Sequence, residues 1–166
     1  MHSYHNAVSE ERTPLQRELH QRRPFGSRGQ ESAIALLRTA DLLRRHLTRV
    51  SEPHGITPQQ YNVLRILRGA GEEGLPTLAI GERMVEQTPG VTRLIDRLEV
   101  KGLVVRCRGE DDRRQVLCRV TAAGRDLLSQ LDTAMEQAAE AGVAMLQSED
   151  QLRLLEMLAT IRAGHR

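Results

Sequence analysis

Apolar side chains recur every three or four residues along most of this chain, which is typical of amphipathic helices. A first long helix is predicted over residues 30–50, because a proline and a glycine follow soon after it. A second helix is predicted from residue 58. The segment before it, residues 57–60, has the Thr and Gln of a capping box and a proline at the first helical position.

Two shorter helices are predicted next, over residues 77–86 and 89–101. Thr88 is the expected N-cap of the second, because a proline follows it at the first helical position. The glycine at residue 102 is the expected stop. The apolar stripe of this second helix leaves four polar side chains exposed: Thr92, Arg93, Asp96 and Arg97.

The period of the pattern then changes to two, which is typical of strands. Two such runs, residues 104–108 and 116–120, flank a polar turn and predict a β-hairpin with an arginine-rich solvent side. Cys107 and Cys118 are expected to lie near each other on its apolar face. The residues predicted on that face are Val105 and Cys107 in the first strand, and Val116, Cys118 and Val120 in the second.

Two amphipathic helices are predicted to complete the chain. The first covers residues 121–147, with a bend expected at Gly142. Ser148 and Gln151 have the spacing of a further capping box, which predicts the start of the last helix. At the other end, residues 1–30 are polar and are predicted to form an irregular, flexible arm with one turn of helix.

Composition narrows the class of protein. The 166 residues are 39% hydrophobic, enough for one domain with its own core. No apolar run approaches the ~20 residues of a membrane span, so a cytoplasmic protein is expected. Two cysteines are too few for a disulfide scaffold or a four-thiolate zinc site, and no metal or cofactor is predicted. Two tyrosines and one phenylalanine argue against stacking on single-stranded bases.

Charge is distributed unevenly along the chain. Residues 83–119 carry nine Arg or Lys against six Asp or Glu, whereas residues 121–163 carry three against seven. The basic part contains the short helices and the hairpin. A helix, a turn, a second helix and a basic hairpin are the elements of a winged helix-turn-helix, in which one helix enters the major groove and the wing reaches the minor groove. The predicted fold class is therefore mainly α with a small β-hairpin.

Residues 78–121 resemble the MarR family of bacterial transcription regulators. The resemblance is carried by the run from Thr92 to Glu99 and by the wing, where Asp112, Arg114 and Thr121 have the family's spacing. Residues 56–64 also resemble the family's second helix. The resemblance extends over about residues 31–163 and implies a homodimer built from the first and last helices.

The resemblance implies a repressor that binds an inverted repeat in double-stranded DNA and that a small anionic or aromatic ligand releases. It implies a dimerisation helix over residues 31–56, a DNA-binding lobe over 57–121 and dimerisation helices over 122–166. His46 and Tyr61 are candidates for the ligand pocket. The candidate DNA contacts are Thr88, Gly90, Thr92, Arg93, Arg97, Asp112, Arg113 and Arg114.

Two other functions compete with this interpretation. One is a winged-helix module that binds proteins and not DNA, and the exposed arginines speak against it. The other is a redox-responsive regulator that uses Cys107 and Cys118, which requires a reactive thiolate. An enzyme is not expected, because the sequence has no nucleophile elbow, no metal-ligand spacing and no pair of carboxylates on one rigid face.

Overall fold

The computed structural model describes residues 12–86, 90–109 and 115–165. Helices and a small antiparallel sheet of order β1-β3-β2 make up this part of the chain. The helices are α1 (Pro14–Glu18), α2 (Arg28–Ser51), α3 (Pro58–Ala70), α4 (Thr77–Arg83), α5 (Val91–Val100), α6 (Ala122–Ala141) and α7 (Ser148–Ala163). The strands are β1 (Leu75–Pro76), β2 (Val104–Arg108) and β3 (Val116–Val120).

The chain forms two compact units, and the boundary between Leu42 and Leu43 falls within α2. In the first unit, the predicted turn of helix is present as α1. Thr13 and Gln16 form a capping box at its start, and the Gln16 side chain donates to the Arg23 carbonyl (3.1 Å). Arg38 of α2 pairs with Glu18 (2.8 Å). This part of the N-terminal arm is thus held by specific hydrogen bonds.

The second unit contains the hydrophobic core. Helix α3 starts as predicted, with a capping box between Thr57 and Gln60. Its buried side packs against α5, α6 and β3. The side chains that are almost fully buried here come from every one of these elements: Val63, Leu64, Leu67, Ile80, Ile95, Leu98, Val104, Cys118, Leu128 and Leu131. Burial of this apolar surface is the main force that assembles the unit.

The face of β2 that packs into the core is the opposite of the predicted one. Val104 is buried and pairs with Val120, whereas Val105 is exposed, so the prediction that Val105 and Cys107 face the core is wrong. Val116 is exposed as well. Both Val104 and Val105 are apolar, so alternation alone does not choose between them. The hydrogen bond from the Thr121 N–H to the Leu103 carbonyl (3.1 Å) accompanies the observed register.

The C-terminal helices differ from prediction at their junction. Helix α6 ends at Ala141, and Gly142 ends the helix where a bend was expected. A Cβ on Gly142 would lie 2.5 Å from the end of the Leu43 side chain, which would have to move to admit it. The predicted capping box is also wrong, because Ser148 is the first helical residue and the N-cap is Gln147. The Gln151 side chain instead donates to the Leu146 carbonyl (3.1 Å).

Gly124 is the point where α6 begins against the sheet. The Thr121 hydroxyl accepts the Gly124 N–H (3.1 Å) and donates to the Gly102 carbonyl (2.7 Å), which joins the helix to the loop before β2. A Cβ on Gly124 would lie 2.4 Å from the Leu103 carbonyl oxygen and 2.7 Å from Val120. The approach of the two backbones therefore requires glycine.

We predict that Gly124→Ala lowers the free energy of unfolding by about 1–3 kcal/mol, the usual cost of overpacking. The matched control is Gly69→Ala in α3, where an added Cβ meets nothing within 4 Å. The control is expected to be neutral or to stabilise by about 0.5–1 kcal/mol, since alanine favours helix. Urea denaturation followed by circular dichroism measures both. A Gly124→Ala protein as stable as the wild type would contradict the close approach.

Candidate nucleic-acid interface

Helix α5 presents a polar face to solvent. Val91, Ile95 and Leu98 are buried, and Leu94 is partly buried, as the periodicity predicted. The side chains on the opposite face are exposed: Thr92, Arg93, Asp96 and Arg97. This arrangement exposes the polar face of α5 along its length.

The acidic residues of α5 are already paired. Arg106 of β2 donates to Asp96 (2.6 Å) and to Glu99. Both carboxylates thus pair with Arg106 and not with Arg97 of the same helix. Within the described residues, Arg93 and Arg97 have no ion pair. The interface therefore presents two guanidinium groups on one helix face that have no ion pair with any other described residue.

Helix α5 starts two residues later than predicted. Gly90 is its N-cap and its carbonyl accepts the Leu94 N–H (3.1 Å), so the first helical residue is Val91. Glycine is an acceptable N-cap, and Thr88 has no Glu or Gln three residues later to complete a capping box. Thr88 itself lies outside the described residues. An added Cβ on Gly90 meets no atom within 4 Å among the described residues.

The segment before the interface is anchored to α2 and α3. The Val85 N–H donates to the Asn62 side chain (3.0 Å). Glu86 accepts from Arg44 (2.9 Å) and from Gln59 (3.0 Å), and these hydrogen bonds keep the pKa of its carboxyl below the usual range. Sequence analysis missed these contacts, since nothing in the local pattern relates residue 44 to residue 86.

The wing is described up to its base. The Gly109 N–H donates to the Gln115 carbonyl (2.9 Å), which closes the two strands. The turn that carries the predicted contacts Asp112, Arg113 and Arg114 lies outside the described residues. Arg108, at the end of β2, is exposed.

The two cysteines lie on opposite faces of the hairpin. Cys107 pairs with Leu117, and Cys118 pairs with Arg106, so alternation along each strand separates the two side chains. The expectation that they are neighbours is therefore wrong. Cys118 is fully buried, and burial raises the pKa of its thiol. A raised pKa disfavours the reactive thiolate at Cys118, so neither this thiol nor the placement of the pair supports a redox switch that joins the two cysteines.

Comparison with known proteins agrees with this geometry. The sequence profile of the MarR family matches residues 54–115. The uncharacterized HTH-type transcriptional regulator YkoM of Bacillus subtilis (strain 168) is 31% identical over 122 residues, which cover 72% of this chain and 78% of YkoM. The crystal structure of a MarR transcription factor from Planctomyces limnophilus is 35% identical, with a TM-score of 0.62 and coverage of 82% and 99%. The chain belongs to the MarR family.

Membership of the MarR family makes the chain a transcriptional regulator and not an enzyme. The fold also matches that of S. aureus MepR in its complex with DNA, with a TM-score of 0.73, 20% identity and coverage of 80% and 96%. The predicted winged helix-turn-helix class is confirmed.

In residues 12–86, 90–109 and 115–165, no group of three or more His, Cys, Asp or Glu side chains could hold a metal ion. None of the described helices has the length and hydropathy of a membrane span.

A surface groove of about 570 Å³ lies on α3 of this MarR-family chain. Two arginines, Arg65 and Arg68, line it, and Arg68 is paired with Asp132; sequence analysis missed both. The lining residues are Asn62, Arg65, Ile66, Arg68 and Gly69. His46 and Tyr61, the predicted pocket residues, are not among them. The Nε2 atom of His46 is buried without a hydrogen-bond partner in the described part of the chain.

Tyr61 contacts Arg65 of the groove and joins α3 to α6. Its hydroxyl donates to Asp132 (2.8 Å), which also accepts from Arg68 (2.5 Å). The Arg65 guanidinium lies 5.8 Å from the centre of the Tyr61 ring, within the range of a cation–π contact. Burial and the bond to Asp132 raise the pKa of Tyr61 to about 12.

We predict that Tyr61 ionises near pH 12 in the folded protein. Tyr4→Phe leaves it as the only tyrosine, so tyrosinate absorbance reports it alone. Because the folded state holds this proton more tightly, its contribution to stability is complete below the ordinary pKa of about 10 and is lost as the pH rises through about 12. Adding Asp132→Asn should lower the midpoint. A midpoint near 10 in the folded Tyr4→Phe protein would contradict the buried pair.

Proposed function

We propose that this protein is a homodimeric repressor that binds an inverted repeat in double-stranded DNA and that a small anionic or aromatic ligand releases. The observation that carries the proposal is the exposed face of α5, where Arg93 and Arg97 have no ion pair among the described residues. MepR, whose fold this chain shares, was solved with DNA. A repressor of this kind acts on DNA in the cytoplasm.

Arginine on this face suits base recognition. Its planar fork can donate two hydrogen bonds to guanine in the major groove, and Thr92 can contact a thymine methyl group. In the proposal, Thr88 and Gly90 contact phosphate at the start of α5, and Arg97 contacts phosphate farther along. In the wing, Arg114 enters the minor groove with Asp112 orienting it, and Arg113 contacts phosphate. A module that binds only proteins has no need of two unpaired arginines beside a basic hairpin.

The dimer is supported by the apolar surface of α7. This helix has no buried residue in the single chain. Glu149, Arg153, Glu156 and Thr160 form one polar stripe, spaced by three and four residues, and large apolar side chains outside it are exposed: Leu152, Leu155, Met157 and Ile161. Apolar patches of this kind mark protein contacts. We assign residues 31–56 and 122–166 to dimerisation, 57–121 to DNA binding and 1–30 to the arm.

The effector is supported by the groove on α3. Arg65 supplies positive charge for an anion in this open groove, and the charge of Arg68 beside it is balanced by Asp132. The same helix holds Val85 through Asn62, which also lines the groove. A ligand there would therefore contact a residue that positions the segment before α5. Tyr61 and His46, which do not line the groove, stay candidates for the ligand pocket.

We predict that Arg93→Ala abolishes most of the preference for specific DNA. A bidentate base contact is worth about 1–3 kcal/mol per half-site, and a dimer has two. The measurement is the ratio of dissociation constants for a scrambled duplex and for a duplex that the wild type selects from a random pool. Arg153→Ala on α7 removes the same charge and should keep the ratio. An unchanged ratio in Arg93→Ala would argue against a base contact.

We predict a dimer in solution. Light scattering on a size-exclusion column should give about twice 18.7 kDa. Leu152→Glu with Leu155→Glu should give the monomer mass, because the charges would be buried in the interface. Thr160→Glu adds a charge on the polar stripe of the same helix and should stay dimeric. A monomer at micromolar wild-type concentration would overturn the assignment.

A further inference from the structure

Arg106 is held against helix α5 by three hydrogen bonds. One nitrogen of its guanidinium lies 2.6 Å from Asp96, and another donates to Glu99. Its backbone N–H donates to the second oxygen of Glu99 (3.2 Å). The Arg106 side chain is only 24% exposed. Its guanidinium nitrogens are engaged by the two carboxylates of α5, and the helix partly covers them. A guanidinium in this state is badly placed to contact phosphate itself.

The positions of Asp96 and Glu99 on α5 show what their contact with Arg106 does for this helix. Asp96 and Glu99 are three residues apart, so they lie on one side of the helix and repel each other. Asp96 is also three residues after Arg93, a spacing at which an aspartate and an arginine pair on a helix surface. In the structure Asp96 pairs with Arg106, and Arg93 stays unpaired among the described residues.

We propose that Arg106 is a positioning residue for DNA recognition. It neutralises Asp96 and Glu99, and it thereby keeps Arg93 available to DNA and fixes α5 against the first strand of the wing. Without Arg106, Asp96 would compete with DNA for Arg93, and two uncompensated carboxylates would face phosphate. The inference rests on the proposed function, because it requires that Arg93 contact a base.

The test separates neutralisation from a direct contact. The probes are a duplex of about 20 base pairs, which holds two half-sites one helical turn apart, selected by the wild-type protein from a random pool, and its scrambled version. Arg106→Gln should lower the ratio of affinities for the two duplexes by about tenfold or more. Adding Asp96→Asn and Glu99→Gln to Arg106→Gln should return the ratio to within about threefold of wild type. A role in structure alone would not give this recovery.

Two variants serve as controls. Arg106→Lys keeps a charge but lacks the fork that reaches both carboxylates, so we expect an intermediate ratio. If Arg106→Gln unfolds below the assay temperature, the Arg106→Lys variant is measured in its place. Arg153→Gln removes an arginine that pairs with Glu149 on α7 and should leave the ratio unchanged.

Three results would overturn the proposal. The first is an unchanged ratio in folded Arg106→Gln. The second is an equal loss of affinity for both duplexes with a salt slope lower by about one per site, which would make Arg106 a phosphate contact. The third is no recovery in the triple variant. If Arg93→Ala loses the ratio while Arg106→Gln keeps it, this inference fails alone. If the wild type prefers no duplex, the proposed function fails with it.

Discussion

The DNA-binding unit depends on helix α3, because both its buried side and its polar side are in use. The buried side packs against α5, α6 and β3, and it includes Leu64 and Leu67 with no exposed surface. Polar atoms of two other α3 side chains bond to two different segments. Asn62 holds the segment before α5, and Tyr61 holds α6 through Asp132. A shift of α3 would therefore move both the segment before α5 and helix α6. A ligand in the groove on α3 would have to act through such a shift.

Charge is sorted within the same unit. The carboxylates of α5 are compensated by β2, and its arginines are left for solvent. The segment after the wing is acidic, with seven Asp or Glu against three Arg over residues 121–163. In the proposed function, the first surface would attract phosphate and the second would repel it, so the charge pattern would orient the chain on DNA before any specific contact forms.

Apolar surface is sorted as well. The core takes one side of α3, α5 and α6, whereas α7 keeps its large apolar residues exposed in the single chain. A helix with so wide an apolar face is not stable against water alone, because most helical stability in proteins comes from packing. In the single chain, the core beneath α5 is therefore buried, whereas the apolar side chains of α7 have no described surface to pack against.

Local signals in the sequence were sufficient for most of the architecture. The capping box at Thr57, the period of α5 and the change to period two at the wing each depend on neighbouring residues, so the pattern predicted them together with the family. The exposed positions Arg93 and Arg97 followed from the same stripe. These features need no knowledge of distant contacts.

Only the tertiary structure decided the features that join distant residues. Val104 and Val105 are equally apolar, and which of them enters the core depends on a register shared with β3. The capping box predicted for α7 is absent because Gln147, and not Ser148, is the N-cap, and the Gln151 side chain donates to the Leu146 carbonyl. Arg106 appeared in the sequence as one basic residue of the wing. Its role follows from two carboxylates that lie seven and ten residues before it, which the backbone brings within hydrogen-bond distance.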